Sequence, residues 1–367
     1  MNTATRIPAR LAPALRTRVL PIRSISYTAT KAADVAPIVG TGPPPEPPTP
    51  AAANAYERVE RRRRQAKLLK DAKDIRTVAA GKATGGLKKR FWKDVDVKEV
   101  DGQLQVHLDH RPLRHPNTKK IVNVPKSKPA LAAALALEWD MLESAQQATR
   151  SHMIPLTSLV CRALDIQADD SVDQPEHKKI RSIIAKTVLR YLDTDSLLCW
   201  APEAGPHDLK NDAGESLREV QKKTAEEIVS YMTTNVWPGI TIEPVLDTES
   251  IVPRRQPEGV REVVQGWVMG LNAWDIAGLE RAVLAGKSLV NAARFVAEWT
   301  DSAVMQQKVI SPTTRFGVEE AAKAASLEVD WQTLQWGEVE DTHDVNKEDV
   351  RRQLGSVMLL VSGTGSA

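Results

Sequence analysis

The stretch LQWGEVEDTHDV, at residues 334–345, places several carboxylates around one imidazole. The carboxylates belong to Glu338, Glu340, Asp341 and Asp344, and the imidazole belongs to His343. Such groups are ligands in many metal sites and proton carriers in acid–base centres. They also form acidic surfaces that receive the basic groups of a partner.

The predicted local structure argues against a metal or catalytic site in this stretch. The pattern of residues 318–336 predicts an amphipathic helix, and Gly337 is a typical residue to end it. His343 and Asp344 follow the end of that helix, so no helical spacing aligns them as ligands. We therefore expect no catalytic residue, no bound metal and no cofactor.

What this region does have is a high density of negative charge. Residues 326–349 carry eight Asp or Glu and one Lys, and Trp331 and Trp336 lie among them. An acidic strip beside tryptophans suits the docking of a basic or Arg-rich partner surface. Alternatively, it is a solvated helix end whose tryptophans complete the core. Residue chemistry alone leaves both interpretations open.

Other candidate chemical motifs lack a required residue. The tripeptide GKS at residues 286–288 resembles the end of a phosphate-binding loop, but Arg281 stands where the first Gly of that motif belongs. Cys161 and Cys199 are the only cysteines of the sequence, and they form no CxxC pair. They are predicted to be reduced thiols with a structural role.

The net charge of +3 conceals a split between a basic leader and an acidic body. Residues 1–90 contain nineteen Lys or Arg and six Asp or Glu, a local balance of +13, which leaves −10 for residues 91–367. Binding of nucleic acid requires a basic surface that displaces counterions. The acidic body therefore predicts that nucleic acid is not a partner.

The N-terminal region is typical of a targeting segment followed by a linker. Residues 1–33 contain six basic side chains and no acidic one, as mitochondrial transit peptides do. Residues 34–85 are rich in Pro at first and basic later, and we predict a disordered linker there. Its run of four Arg at residues 61–64 is either a solvated helix segment or an RNA contact. No apolar run reaches the length of a membrane span, so no membrane insertion is expected.

The body is predicted to have an α+β fold, with a small β-rich N-terminal domain followed by an α-helical bundle. Asp101-Gly102 predicts a hairpin turn between strands at 91–100 and 103–108, with Gln105 facing outward. A third strand is predicted at residues 121–124 and helices follow, among them two within residues 258–300. The predicted boundaries are 86–165 for the β-rich domain, 166–345 for the bundle and 346–367 for a C-terminal tail.

Several separated motifs of the body resemble one family. In chain order they are KRFWKDVDVKEVDGQLQVHLDHRPLRHP, LALEWDMLE, MIPLTSLVCRALD, VLRYLDTDSLLCW and LQWGEVEDTHDV. Together they resemble the mitochondrial ATP synthase F(1) complex assembly factor 2 family, over roughly residues 88–345. The leader, the stretch at 202–214 and the tail after Val345 contribute nothing to this resemblance.

The resemblance implies a chaperone of the mitochondrial matrix rather than an enzyme. Its partner would be the unassembled F(1)-ATPase α subunit, whose interface it shields until the β subunit replaces it, and the free chaperone is expected to be a monomer. The matched motifs imply a contact surface made by Trp139, Asp140, Glu328, Trp336, Glu340, His343 and Asp344. Two alternatives are a metal-dependent matrix hydrolase using His343 and a mitochondrial RNA-binding protein using residues 61–64.

Overall fold

The computed structural model describes residues 62–64, 66, 90–171, 179–246, 252–301, 315–339 and 341–364. The predicted transit peptide and most of the predicted linker lie outside these residues. From residue 90 onward the described part begins with strands and continues almost entirely as helices, so the predicted α+β fold class is confirmed.

A β-hairpin opens the body, as its turn dipeptide predicted. Strands β1 (Val95–Val100) and β2 (Gln103–Leu108) are antiparallel, with Val100 paired to Gln103. Asp101 and Gly102 between them have φ values of 51° and 72°. Both values lie in the left-handed region, which the type I′ hairpin turn requires at its two central residues.

Two short strands complete a four-stranded sheet around β2. Strands β3 (Arg111–Pro112) and β4 (Val124–Pro125) pair antiparallel with opposite ends of β2. The prediction that Gln105 faces solvent is wrong, because this side chain is buried and its Nε2 donates a hydrogen bond to Asn123 Oδ1 at 2.9 Å. The segment before β4 covers a face that a lone hairpin would leave open.

Nine helices of eleven or more residues follow within the described ranges. In chain order they are α1 (Pro129–Asp140), α2 (Pro155–Asp170), α3 (Lys179–Arg190), α4 (Leu217–Tyr231), α5 (Val260–Gly270), α6 (Ala273–Gly286), α7 (Leu289–Trp299), α8 (Val318–Trp336) and α9 (His343–Val361). A π-helical turn, Met232–Val236, continues α4.

Helix α6 lies at the centre of the helical part. It contacts α2, α3, α7, α8 and α9, and most of its side chains are buried. Its Gly278 is where α9 comes closest, since a Cβ built there would lie 2.6 Å from Val361 Cγ1. A side chain at position 278 would therefore force the two helices apart.

Two sequence predictions for the helical part differ from the structure. Residues 346–367 were assigned to a tail, whereas α9 runs to Val361 and buries Leu354, Val357 and Leu360. The acidic start of this segment conceals a helical spacing of apolar residues further on. Residues 258–300 form three helices rather than two, because Lys287 (φ 57°) and the Ser288 N-cap make a second break.

The loop before α1 joins the sheet to the end of α9. The Lys128 side chain is buried, and its Nζ lies 3.0 Å from the Val361 carbonyl oxygen and 3.1 Å from that of Ser362. The same ammonium is 3.1 Å from Asp301 Oδ2. Cations stabilise the carbonyl groups at helix C-termini, so Lys128 holds the last turn of α9 against the β-rich part of the body.

Candidate partner-binding surface

Helices α8 and α9 form a hairpin whose connection protrudes from the body. Helix α8 ends at Gly337, whose φ of 84° suits glycine, and α9 begins at His343. The far ends of both helices are anchored in the core. Asn291 of α7, for example, donates from Nδ2 to the Ala321 carbonyl oxygen at 2.9 Å. The connection itself is thus presented to solvent on a fixed base.

Four large apolar side chains at this connection are exposed. Leu334 is 81% and Trp336 58% exposed, and Val339 and Val345 are each 57% exposed. Carboxylates lie among them, and those that the structure describes as exposed are Glu338, Asp341 and Asp344. We call these seven residues the hairpin tip. Groups of exposed apolar side chains rimmed by charge mark interaction surfaces.

His343 is hydrogen-bonded to the hairpin tip at Val339. Its Nδ1 accepts a hydrogen bond from the Val339 backbone N–H at 3.2 Å, and the backbone N–H of His343 donates to the Val339 carbonyl oxygen at 3.1 Å. Across the described residues, no group of three or more His, Cys, Asp or Glu is placed to hold a metal ion.

Beneath the hairpin tip, a groove of 540 Å³ runs between α8 and α9. Its lining includes Leu334 and Glu338 of the hairpin tip together with the buried Ala322 and Val350. Two ion pairs flank it: Lys347 with Asp330 at 3.3 Å and Arg351 with Glu319 at 3.0 Å. The groove is continuous with the exposed apolar side chains and enlarges the surface that a partner segment can cover.

The other predicted contact residues are not brought to the hairpin tip. Glu328 lies on α8 two turns before Trp336 and faces the segment that contains Ser196 and Leu197. Trp139 is only 9% exposed. Its Nε1 donates to Thr157 Oγ1 at 2.8 Å, and its ring lies 5.4 Å from that of Trp92, so it is a core side chain.

Asp140 and Glu340 complete the predicted set. Asp140, at the end of α1, is exposed, and its Oδ1 accepts a hydrogen bond from Arg90 Nη1 at 3.1 Å. This places Asp140 beside Trp139 at the β-rich end of the body. Glu340 lies outside the described residues, although both of its chain neighbours are described.

Two carboxylates in the matched motifs cap the starts of neighbouring helices, a role that the sequence analysis missed. Glu138 accepts hydrogen bonds from the Leu156 and Thr157 N–H groups at 2.8 and 2.9 Å, and from Thr157 Oγ1 at 2.6 Å. It thereby caps α2 from a neighbouring helix. Burial raises the pKa of Glu138, while these hydrogen bonds lower it. No local spacing signals such a cap, because the donors lie eighteen and nineteen residues away.

Asp195 performs the same task for α7. Its Oδ2 accepts from the Leu289 and Val290 N–H groups at 2.7 and 2.9 Å, and its Oδ1 accepts from the Leu197 N–H at 3.0 Å. The carboxyl group is fully buried, and burial raises its pKa to about 6. The motif YLDTDSLLC therefore encodes a structural junction, and its Cys199 is a half-buried free thiol whose pKa is raised by burial.

One residue of the basic N-terminal region also reaches the hairpin tip. The Arg62 guanidinium forms an ion pair and hydrogen bond with the carboxylate of Asp341. Both side chains are largely exposed. The hairpin tip thus carries a basic group from its own chain.

Comparison with known proteins identifies the family. Residues 89–233 match the family described as ATP12 chaperone protein. The chain is 30% identical over 281 residues to the protein atp12, mitochondrial, of Schizosaccharomyces pombe, covering 74% of this chain and 81% of that one. It is 31% identical over 276 residues to the protein ATP12, mitochondrial, of Saccharomyces cerevisiae, covering 72% and 81%.

Solved structures show the same fold. The crystal structure of Atp12 from Paracoccus denitrificans has a TM-score of 0.51 and 19% sequence identity to this chain, covering 74% of it and 96% of the bacterial protein. A mutant form of that protein matches with the same TM-score and 20% identity, covering 74% of this chain and 95% of that one. At this identity the likeness establishes the fold alone.

The exposed apolar side chains and carboxylates of the hairpin tip are typical of a protein that binds another macromolecule. The chain belongs to the ATP12 chaperone family. The sequence prediction of this family, and of a chaperone role in assembly of the ATP synthase F(1) sector, is confirmed. Among the described residues, no helix combines the length and the apolar character that crossing a bilayer requires.

Proposed function

We propose that this chaperone binds the unassembled α subunit of the F(1)-ATPase in the mitochondrial matrix and shields its subunit interface until the β subunit takes its place. The observation that carries the proposal is the hairpin tip, where Leu334, Trp336, Val339 and Val345 are exposed among carboxylates. Family membership supports the partner, because an unassembled subunit exposes apolar surface that aggregates unless it is covered.

The composition of the hairpin tip suits a contact that must later be released. Apolar side chains give affinity when they are desolvated in a partner pocket, and Trp is the residue type most enriched among such anchors. Surrounding carboxylates speed encounter with a basic partner and select against acidic surfaces. A contact of this kind requires no chemical step, so the chaperone acts as a binding protein without a catalytic residue or cofactor.

The test is direct binding of the purified chain to purified α subunit, with Trp336→Ala as the informative variant. Truncating one exposed anchor is expected to weaken binding about tenfold or more. The matched control is Ile183→Ala on α3, since Ile183 is also 58% exposed but lies on another helix. Equal affinity for Trp336→Ala and the unmodified chain would contradict the proposed surface.

The alternatives from the sequence predict results in other assays. A metal-dependent hydrolase would lose a turnover activity on His343→Ala, and an RNA-binding protein would release RNA steeply with salt. Glu340 remains a contact residue predicted from sequence, and Glu340→Lys tests it. We expect weaker binding of the α subunit with a nearly unchanged melting temperature.

A further inference from the structure

The ion pair between Arg62 and Asp341 joins residues 279 positions apart in the chain. Arg62 belongs to the run of four consecutive Arg at residues 61–64, which we call the basic run. The structure describes Arg62, Arg63 and Arg64 as a helical, exposed segment. Arg62 of the basic run therefore contacts the hairpin tip.

Charge complementarity accounts for this position. Residues 91–367 carry a net charge of −10, and the exposed carboxylates Glu338, Asp341 and Asp344 concentrate part of it at the hairpin tip. A guanidinium matches a carboxylate geometrically and loses less hydration than an ammonium does. Arg62 thus pairs with a carboxylate of the kind that a basic partner would bind.

We propose that the basic run is an intramolecular occupant of the hairpin tip and competes with the partner for it. This inference rests on the proposed function, because the competing partner is the α subunit. It also defines the chemistry expected of the partner segment: basic side chains for the carboxylates, and an apolar anchor for the Trp336 region. The basic run supplies only the first of these, so the complete ligand displaces it.

The strength of such competition is limited. Exposed ion pairs are individually weak. The tether compensates in part, because a linked segment acts at an effective concentration in the millimolar range. When this concentration is comparable to or several times the dissociation constant of the untethered contact, the partner's affinity falls by about two- to tenfold. The basic run therefore attenuates binding and does not lock the surface.

The first experiment compares partner affinity between two full-length variants with the same change in net charge. In one, the four residues of the basic run are all replaced by Gln. In the matched control the replaced residues are Lys67, Lys70, Lys73 and Arg76, which follow the run in the sequence. We expect the first variant to bind the α subunit about two- to tenfold more tightly at low ionic strength, and the control to match the unmodified chain.

Salt provides an internal check of the mechanism. The gain in affinity should disappear near 1 M salt, where the Debye length is about 3 Å and exposed pairs are screened. Unchanged or weaker binding of the basic-run variant at low salt would overturn the inference, and weaker binding would mean that the run itself contacts the partner. An equal gain in affinity in the control variant would mean that overall net charge causes the effect. That result would also overturn the inference.

A second measurement examines the internal contact without any partner. In the full chain, A66C with T342C, which keeps the Arg62–Asp341 pair intact, is treated with a short bismaleimide cross-linker, and A66C with E227C is the control because Glu227 lies exposed on α4. We expect the first pair to cross-link well in excess of the control, as mapped by mass spectrometry. Equal yields would overturn this inference while leaving the proposed function standing. A selective cross-link without α-subunit binding in any variant would overturn the proposed function and the competition together.

Discussion

The imidazole of His343 accepts a hydrogen bond at Nδ1 from the N–H of Val339, 3.2 Å away. The reciprocal bond, from the His343 N–H to the Val339 carbonyl oxygen, measures 3.1 Å. The two bonds close a short ring between the first turn of α9 and an exposed side chain of the hairpin tip. The histidine of the acidic stretch is therefore an element that orders a binding surface.

Replacing His343 by Ala is expected to loosen the hairpin tip and weaken α-subunit binding several-fold. The Val339 N–H loses its acceptor and the turn loses a constraint, which raises the entropy that binding must remove. His343→Asn is expected to restore most of the affinity, because the amide oxygen of Asn also accepts a hydrogen bond. The measurement is a binding titration, with the exposed His110→Ala as a control for loss of an imidazole. Full affinity in His343→Ala would remove the ordering role.

Reversing one charge at the hairpin tip is expected to weaken binding without unfolding the chain. Glu338→Lys opposes the basic groups expected on the partner, and rim charges act mainly on the association rate and its salt dependence. Stability should change by no more than about 0.5 kcal/mol, as is usual for an exposed position. The control is Glu227→Lys on α4. A slower association that high salt does not restore would argue against an electrostatic contact at Glu338.

Gly278→Ala is expected to destabilise the body because α9 packs too closely for a Cβ. The added carbon would meet Val361 Cγ1 at 2.6 Å, and overpacking costs about 1–3 kcal/mol. Gly266→Ala on α5 is the control, since its Cβ would meet nothing within 4 Å. Helix propensity alone should stabilise that variant by up to about 1 kcal/mol. Urea unfolding measures both, and a stabilised Gly278→Ala chain would contradict the packing of α9 on α6.

Stability should rise as the pH falls from about 7.5 to about 5, owing partly to Asp275. Its pKa is raised from 3.8 to about 6, chiefly by burial, while the Thr300 hydrogen bond and the charge of Lys128 lower it. At a pH between these two pKa values, the Asp275 carboxyl group takes up a proton when the chain folds. The contribution of Asp275 to stability is fully present below its unfolded-state pKa of 3.8, and it is lost as the pH rises through its folded-state pKa of about 6. A shift of this size corresponds to about 3 kcal/mol.

Asp275→Asn tests the origin of that pH dependence. Oδ2 of Asp275 accepts from Thr300 Oγ1 at 2.6 Å and from Asn272 Nδ2 at 2.7 Å, and an amide oxygen can replace it. Oδ1 is buried without a hydrogen-bond partner among the described residues. We expect the variant to show a flatter stability profile and to be at least as stable as the unmodified chain at pH near 7.5. An unchanged slope would assign the effect to Asp195, whose pKa is also about 6.

The sequence predicted those turns and helices that depend on residues close together in the chain. Asp101-Gly102 adopts the two positive φ values of the predicted turn, and α8 spans Val318–Trp336 as its pattern indicated. The burial of Gln105 was not predictable, because it depends on Asn123, which reaches it through the fold. Period-2 alternation describes one sheet face and cannot show what later covers the other.

The candidate site also combines features that the sequence predicts with features that depend on tertiary packing. Exposure of Trp336 and burial of Trp139 could not be separated from sequence, since each Trp lies near the end of a helix beside carboxylates. The distinction arises from tertiary packing: Trp92 and Thr157 enclose Trp139, whereas α8 extends Trp336 beyond the body. The partner class, by contrast, was visible in the ordered motifs of the family.

Helix α9, described above as the partner of α6 and held at its last turn by Lys128, also determines when the chaperone becomes competent. A chain that emerges N-terminus first from a ribosome or an import pore delivers its domains in that order. The face of α6 that receives Leu354, Val357 and Leu360 stays uncovered until residue 361 has emerged. Two of the seven residues of the hairpin tip, Asp344 and Val345, arrive with the same helix. Completion of the core and completion of the hairpin tip therefore both come late, so a partly translocated chain presents no finished hairpin tip.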